Sequence, residues 1–124
     1  MITEIKDKTV WDTYLSQCQR KTFLQTYEWG EFQKDLGKNI LRLAFLDEKD
    51  TLLGISLTIF EKTPVGTQIY LPRGPLMTLE TPEAYKSILN ALTAYFKDKN
   101  ISCIKIDPAF TEKEEIAKVP QSID

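Results

Sequence analysis

With 124 residues, 42% of them hydrophobic, the chain carries enough apolar material for one core in one domain, a size at which folding buries roughly two-thirds of the unfolded surface. Its 16 basic and 18 acidic residues are interspersed and sum to −2, which excludes the broad positive field that holds nucleic acid nonspecifically. With no histidine in the sequence, Ser-His-Asp and Cys-His catalysis are excluded, and Cys18 and Cys103 form no C-x-x-C pattern, so both read as reduced core thiols rather than a disulfide or a metal set.

No run approaches the roughly 20 apolar residues of a membrane span, and Met1 to Lys8 has no signal-peptide core. The expectation is a soluble, cytoplasmic chain. Along it, Trp11, Tyr14, Leu15 and Cys18 repeat at i, i+3, i+4 and i+7 behind Thr9, predicting a capped amphipathic helix over 10–19. A second helix over 27–36 follows, with Thr26 as N-cap, Gly37 as a left-handed stop, and Trp29, Phe32, Gln33 and Leu36 on one face. That aromatic face reads as core rather than as a base-stacking platform.

From Ile40 the pattern turns to branched and aromatic residues, and 40–46 with 52–60 predict a hairpin across the polar turn Asp47 to Asp50. In the second strand Leu53, Ile55, Leu57 and Ile59 share one face. Gly54, Ser56, Thr58 and Phe60 form the other, where small residues admit close packing. A third strand over 68–71 follows the turn at Pro64 and Gly66. Thr81-Pro82-Glu83 then starts a helix with a cap, a proline at its first position and an acid facing the dipole. Its stripe is Tyr85, Ile88, Leu89, Leu92, Tyr95 and Phe96, and Asn100 stops it. A fourth strand over 101–106, parallel to the third, ends at Asp107-Pro108. Residues 111–124 read as a charged tail in which a short helix at 112–118 is weakly specified.

The predicted order is α-α-β-β-β-α-β with a mixed, mostly antiparallel sheet, an α/β (α+β) class that resembles the first half of a GCN5-related N-acyltransferase domain. On this reading 1–110 form one acyltransferase-like subdomain and 111–124 lead toward a second half outside the chain, since the fourth strand would otherwise stand as an apolar edge.

Three segments narrow this further: Leu24-Gln25-Thr26-Tyr27-Glu28-Trp29-Gly30-Glu31-Phe32, Pro72-Arg73-Gly74-Pro75 and Ile104-Lys105-Ile106-Asp107-Pro108. Together they resemble the N-terminal part of the Fem aminoacyltransferases (FemA, FemB and FemX). The resemblance implies transfer of an amino acid from aminoacyl-tRNA to the stem-peptide amine of a peptidoglycan precursor, UDP-MurNAc-pentapeptide or lipid II, building interpeptide bridges. It implies no metal or organic cofactor, no DNA partner and at most peripheral membrane contact. It also implies that the tRNA-facing surface and most precursor contacts belong to the second half, leaving this stretch inactive alone.

Four substrate-binding positions and one catalytic position follow. The family's entry helix carries a diphosphate-contacting lysine four places after its tryptophan; that position here is Gln33, and Lys34 comes one place later, about 100° around the helix. A solvated surface lysine is the alternative. Arg73 offers a fork suited to phosphate or carboxylate and Gly74 allows close approach, against the alternative of a rigid turn whose arginine pairs with a structural acid. Asp107 occupies the place of the family's aspartate that assists proton transfer from the attacking amine, against the alternative of a strand-ending Asp-Pro. Two other functions stand beside this one. An acyl-CoA-dependent N-acyltransferase would cradle pyrophosphate on a glycine-rich loop, where this chain has two prolines and one glycine. A non-catalytic precursor-binding module would need only the pocket.

Overall fold

The computed structural model describes residues 1–107 and the strand Ser122–Ile123. In chain order the elements are β1 (Ile2–Glu4), α1 (Lys8–Ser16), a 3-10 turn (Phe23–Gln25), α2 (Tyr27–Asp35), β2 (Asn39–Leu46), β3 (Leu52–Thr63), β4 (Gly66–Leu71), β5 (Leu76–Met77), α3 (Pro82–Phe96), β6 (Ile101–Ile106) and β7 (Ser122–Ile123). The strands lie in the order β1-β2-β3-β4-β6-β7, with β5 paired to β3. All pairings are antiparallel except β4 with β6, which α3 connects as a parallel crossover.

Each helix begins where its capping chemistry dictates. Asp7, not Thr9, caps α1, its carboxylate accepting from the Thr9 amide, so the helix runs 8–16 rather than 10–19. Thr26 caps α2 and Thr81 caps α3 through hydroxyls that accept from the Trp29 and Ala84 amides. Gly37, at φ +88, ends α2 in a Schellman motif: the Gly37 amide donates to the Lys34 carbonyl at 2.9 Å and the Lys38 amide to the Gln33 carbonyl at 3.1 Å. Asn100 takes the left-handed conformation, φ 58, four residues after α3 has ended at Phe96.

The sheet has two covered faces. On one, α3 packs Tyr85, Ile88, Leu92 and Phe96 against Leu43, Phe45, Ile69, Leu71, Ile104 and Ile106. On the other, Trp11 and Cys18 meet Ala44, Ile55, Leu57 and Ile59. A bulge opposite Phe45 and Leu46 alters the simple alternation of β3: Leu53 is the extra residue, packs toward α3, and leaves Leu52 to join the Trp11 side. The small face is used as its composition suggests, because Gly54 lies against the Leu76 carbonyl and Ile88.

The reading of Tyr27, Trp29 and Phe32 as core holds in part: Tyr27 and Trp29 pack half-buried against the Trp11 side of the sheet, while Phe32 and its neighbour Leu36 do not. Phe23 is 66% exposed, Leu36 59% and Phe32 47%, and Trp29 is half-buried between the two phenylalanine rings, at 5.4 and 5.3 Å. Gly30 and Gln33 are the buried positions of the helix. The cause is Arg42 on β2, whose nearly buried guanidinium occupies the space under Gly30, so the helix rests on its Gly30 and Gln33 side and leaves Phe32 and Leu36 facing outward.

The chain's two thiols differ in setting. Cys18 is buried and free, and desolvation pushes its pKa up to about 11; Cys103 is half-buried on β6, its thiol donating to the Gln68 side-chain carbonyl at 3.5 Å. A small thiol reagent at about pH 8 is therefore expected to modify Cys103 and spare Cys18. Mass-spectrometric mapping checks this, and Cys18 should label only as the pH nears 11 or the chain unfolds.

Candidate functional site

The site forms where the sheet splits. Pairing between β3 and β4 ends at Ile59↔Tyr70, and β5 takes up the same edge of β3 only at Gly54 and Ile55. Between them the backbone of 56–58 has no strand on this edge, its other edge being paired with β2, and the Gln25 side chain fills the gap. Its carbonyl oxygen accepts from the Leu57 amide at 2.7 Å and its amide donates to the Pro72 carbonyl at 2.6 Å. The Trp11 indole donates to the Gln25 main-chain carbonyl at 2.9 Å, anchoring the turn that presents it.

The split lets Pro72-Arg73-Gly74-Pro75 leave the end of β4 as a tight loop with a cis Gly74–Pro75 bond. Arg73 adopts φ 52, a region that side-chain-bearing residues seldom occupy and that concentrates at functional positions. Gly74 fits because a Cβ there would stand 2.9 Å from the Gln25 amide nitrogen and 3.0 Å from the Ser56 hydroxyl.

Because β4 and β6 are parallel and in register, Leu71↔Ile106, their C-terminal ends deliver Arg73 and Asp107 to the same place. Arg73 Nη1 lies 3.9 Å from Asp107 Oδ1, with both side chains less than half exposed to solvent relative to an open chain, 44% and 45%. Tyr70 and Lys105, paired across the same strands, complete the cluster, with the ammonium 5.5 Å from the ring centre. The Tyr70 phenol is held above its ordinary pKa, by burial first and then by the Asp107 carboxylate. A carboxylate flanked by a guanidinium and a phenol on an open strand end can accept a proton or orient a donor, and the two cations can face an anionic group.

Gln33 and Lys34 are placed elsewhere. Gln33 shares Gly30's buried side of α2. Lys34 lines a groove of about 560 Å³ at the β1 edge with Glu4, Lys6, Tyr27, Lys38 and Arg42. The groove's cations are largely matched by acids: Lys34 and Arg42 share Glu31, at 3.6 and 2.9 Å, and Lys38 pairs with Glu61 at 3.1 Å. No ion pair or hydrogen bond joins Gln33 or Lys34 to Arg73 or Asp107 among the described residues. Thus Arg73, Gly74 and Asp107 form one cluster and the two helix residues do not belong to it.

The entry-helix motif instead builds a scaffold. Arg42 stacks on the Tyr27 ring at 3.7 Å and donates to the Tyr27 carbonyl and to Glu31, both at 2.9 Å. A Cβ on Gly30 would lie 2.5 Å from Arg42 Nη2, so this glycine is the entry port for the guanidinium. Glu31 is held below the usual carboxylate range chiefly by that Arg42 hydrogen bond. Sequence reasoning passed over Arg42, Tyr70 and Gln25. A lone arginine inside the apolar run 40–46 was the available signal for the first.

Among the described residues no cluster of three or more acids and cysteines could hold a metal, and no helix is long and apolar enough to cross a membrane.

Three helices on a mixed, mostly antiparallel sheet, with a clamped arginine loop facing an aspartate across parallel strands, define an α/β fold with its candidate site at the strand ends. The FemAB family profile matches residues 7–122, and the chain belongs to that family. The crystal structure of FemX has the same fold, at a TM-score of 0.74 and 24% identity over 95% of this chain. The chain spans 30% of the length of FemX. No protein of curated function matches it.

Proposed function

We propose that this chain is the acceptor-side part of a Fem-type aminoacyltransferase of peptidoglycan synthesis, acting in the cytoplasm on a stem-peptide precursor, with aminoacyl-tRNA as donor. The stem-peptide amine attacks the ester carbonyl of the aminoacyl-tRNA and the new amide bond forms. The ester C–O bond breaks, and the proton lost by the amine passes by way of Asp107 to the departing ribose oxygen. Arg73 binds an anionic group of the precursor beside the amine. The donor site and the remaining precursor contacts lie in the part of a longer transferase that corresponds to the rest of FemX, so these 124 residues bind precursor without turning it over.

The observation that carries the reading is the Arg73–Asp107 approach at 3.9 Å, formed by two segments that both belong to the family's pattern. The loop's chemistry argues against acyl-CoA. Pro72 and Pro75 have no amide hydrogen, and the Gly74 amide is already spent on the Leu71 carbonyl at 3.2 Å, leaving Arg73 as the single main-chain donor where a pyrophosphate cradle needs several. The GCN5-related character of the subdomain is part of the same proposal and is supported by the parallel β4–β6 pair joined through α3.

The test is an amide chemical-shift titration with UDP-MurNAc-pentapeptide and, in parallel, acetyl-CoA. Saturable shifts at Arg73, Gly74 and Asp107 with the precursor alone are expected. A response to acetyl-CoA alone would overturn the proposal in favour of an acyl-CoA enzyme.

A further inference from the structure

We infer that Gln25 is the positioning residue of this site, its side-chain amide clamping the 72–74 loop so that Arg73 stands beside Asp107. The inference rests on the proposed role of Arg73 as a precursor contact.

Gln25 is fully buried, and both ends of its side-chain amide are committed to the sheet gap. Its amide spans two backbones that no strand pairing joins, satisfying Leu57 on one side and Pro72 on the other. Only a neutral side chain with one acceptor and one donor at this reach can serve both, because the Leu57 amide offers hydrogen and the Pro72 carbonyl requires it. A leucine or methionine leaves both unmade, and buried unpaired backbone groups are costly.

The clamp acts one peptide away from the strained residue. A left-handed conformation is unfavourable for a residue with a side chain, so Arg73 holds φ 52 only while its neighbours are fixed. On its C-terminal side the Gly74 amide is tied to the Leu71 carbonyl. On its N-terminal side the Pro72 carbonyl, lacking any strand partner, is tied to Gln25. Release of that carbonyl lets the loop relax to extended backbone and turns the guanidinium away from Asp107. The same contact explains why position 74 is glycine, since a methyl there would displace the clamping nitrogen.

Upstream anchoring supports a rigid role. The Gln25 amide donates to the Thr22 carbonyl at 3.2 Å, and Trp11, itself fully buried, holds the Gln25 carbonyl. The clamp is therefore fixed to α1 and the first turn of the entry segment, on the far side of the loop it holds.

The experiment is a double-mutant cycle on UDP-MurNAc-pentapeptide binding by calorimetry, using wild type, Gln25→Met, Arg73→Ala and the double variant. Gln25→Met is expected to weaken binding about tenfold, as Arg73→Ala does, with no further loss in the double variant. Wild-type affinity in Gln25→Met, or losses that multiply in the double variant, would overturn the inference. Gln25→Glu serves if Gln25→Met fails to fold, because it keeps the acceptor for Leu57 and loses the donor to Pro72 when ionised. Its binding should recover as pH falls and the carboxyl gains a proton, and a flat profile would count against the clamp. If wild type shows no saturable binding, the functional reading falls. The inference is then judged on the free chain by nuclear Overhauser contacts: loss of Arg73–Asp107 proximity in the variant supports it and retention overturns it.

Discussion

Gly54→Ala is expected to destabilise the chain by about 3 kcal/mol or more. The added Cβ would stand 2.3 Å from the Leu76 carbonyl oxygen, 3.2 Å from its carbon and 3.1 Å from Ile88 Cδ1. Two of those three atoms are backbone, so no rotamer change relieves the clash. Either β5 moves off β3 or β3 bows away from β5. Moving β5 breaks the Gly54↔Met77 and Ile55↔Leu76 pairing and the bond from the Thr78 amide to the Leu53 carbonyl at 3.0 Å. It also uncovers Leu76 and Met77, each 1% exposed, one from each of the two cores. Gly37→Ala is the control: Gly37 has φ +88 and nothing within 4 Å of an added Cβ, so only left-handed strain of about 1–2 kcal/mol applies. Urea denaturation of the two variants compares them directly. A smaller loss for Gly54→Ala than for Gly37→Ala would contradict the packing of β5.

The Gly54 contact shows what kind of information one chain carries in its residues. Small side chains at Gly54, Ser56 and Thr58 told that something packs closely, and Ile88 and the Leu76 carbonyl are what does so. Helix caps were local and therefore legible: Thr26, Gly37 and Thr81 act within a few residues of themselves. Strands β1, β5 and β7 were not, because three, two and two residues are too short to establish a period of two. The last of these pairs Ile123 with Ile104, giving a partner to a strand expected to stand as an edge, while the helix suggested at 112–118 lies outside the described residues.

The entry helix was read only in part, for a nonlocal reason: Tyr27 and Trp29 pack on the core, Phe32 and Leu36 do not. Phe32 and Leu36 satisfy helical spacing as well as any core stripe, yet the position of α2 is fixed by an arginine on another element that enters at Gly30. Periodicity counts apolar residues and cannot count a guanidinium that occupies a glycine's missing side chain. The site shows the same division. That Arg73 sits on a constrained loop and Asp107 at a strand end was readable from proline, glycine and strand patterns. Their proximity depends on the parallel register of β4 with β6, which follows from the α3 crossover. The clamp by Gln25 depends on where two strands part, a property of the whole sheet.

Asp107→Asn, made at the matching aspartate of a full-length relative in the Fem family, is expected to slow aminoacyl transfer by about 10²–10⁴-fold while leaving precursor affinity near wild type. Asparagine keeps the shape and an acceptor oxygen but takes up a proton far less readily, so the variant removes the base and spares the packing. Arg73 loses its anionic neighbour at 3.9 Å and stays free to engage the precursor, which is why binding should hold. Arg73→Ala should give the opposite pattern, weakening the precursor's affinity about tenfold or more through loss of a charge-assisted contact and slowing transfer chiefly at low precursor concentration. Single-turnover transfer from aminoacyl-tRNA at saturating and at limiting precursor separates the two. If Asp107→Asn transfers at the wild-type rate, the proton leaves by another route, and the carboxylate's place is that of Arg73's structural partner. A Tyr70→Phe variant sharpens the assignment, because the Tyr70 phenol is held above its ordinary pKa by burial first and then by the Asp107 carboxylate. If the phenol helps orient the carboxylate, its loss should reduce the rate at saturation and add little to the deficit of Asp107→Asn, since both changes act on the same proton transfer.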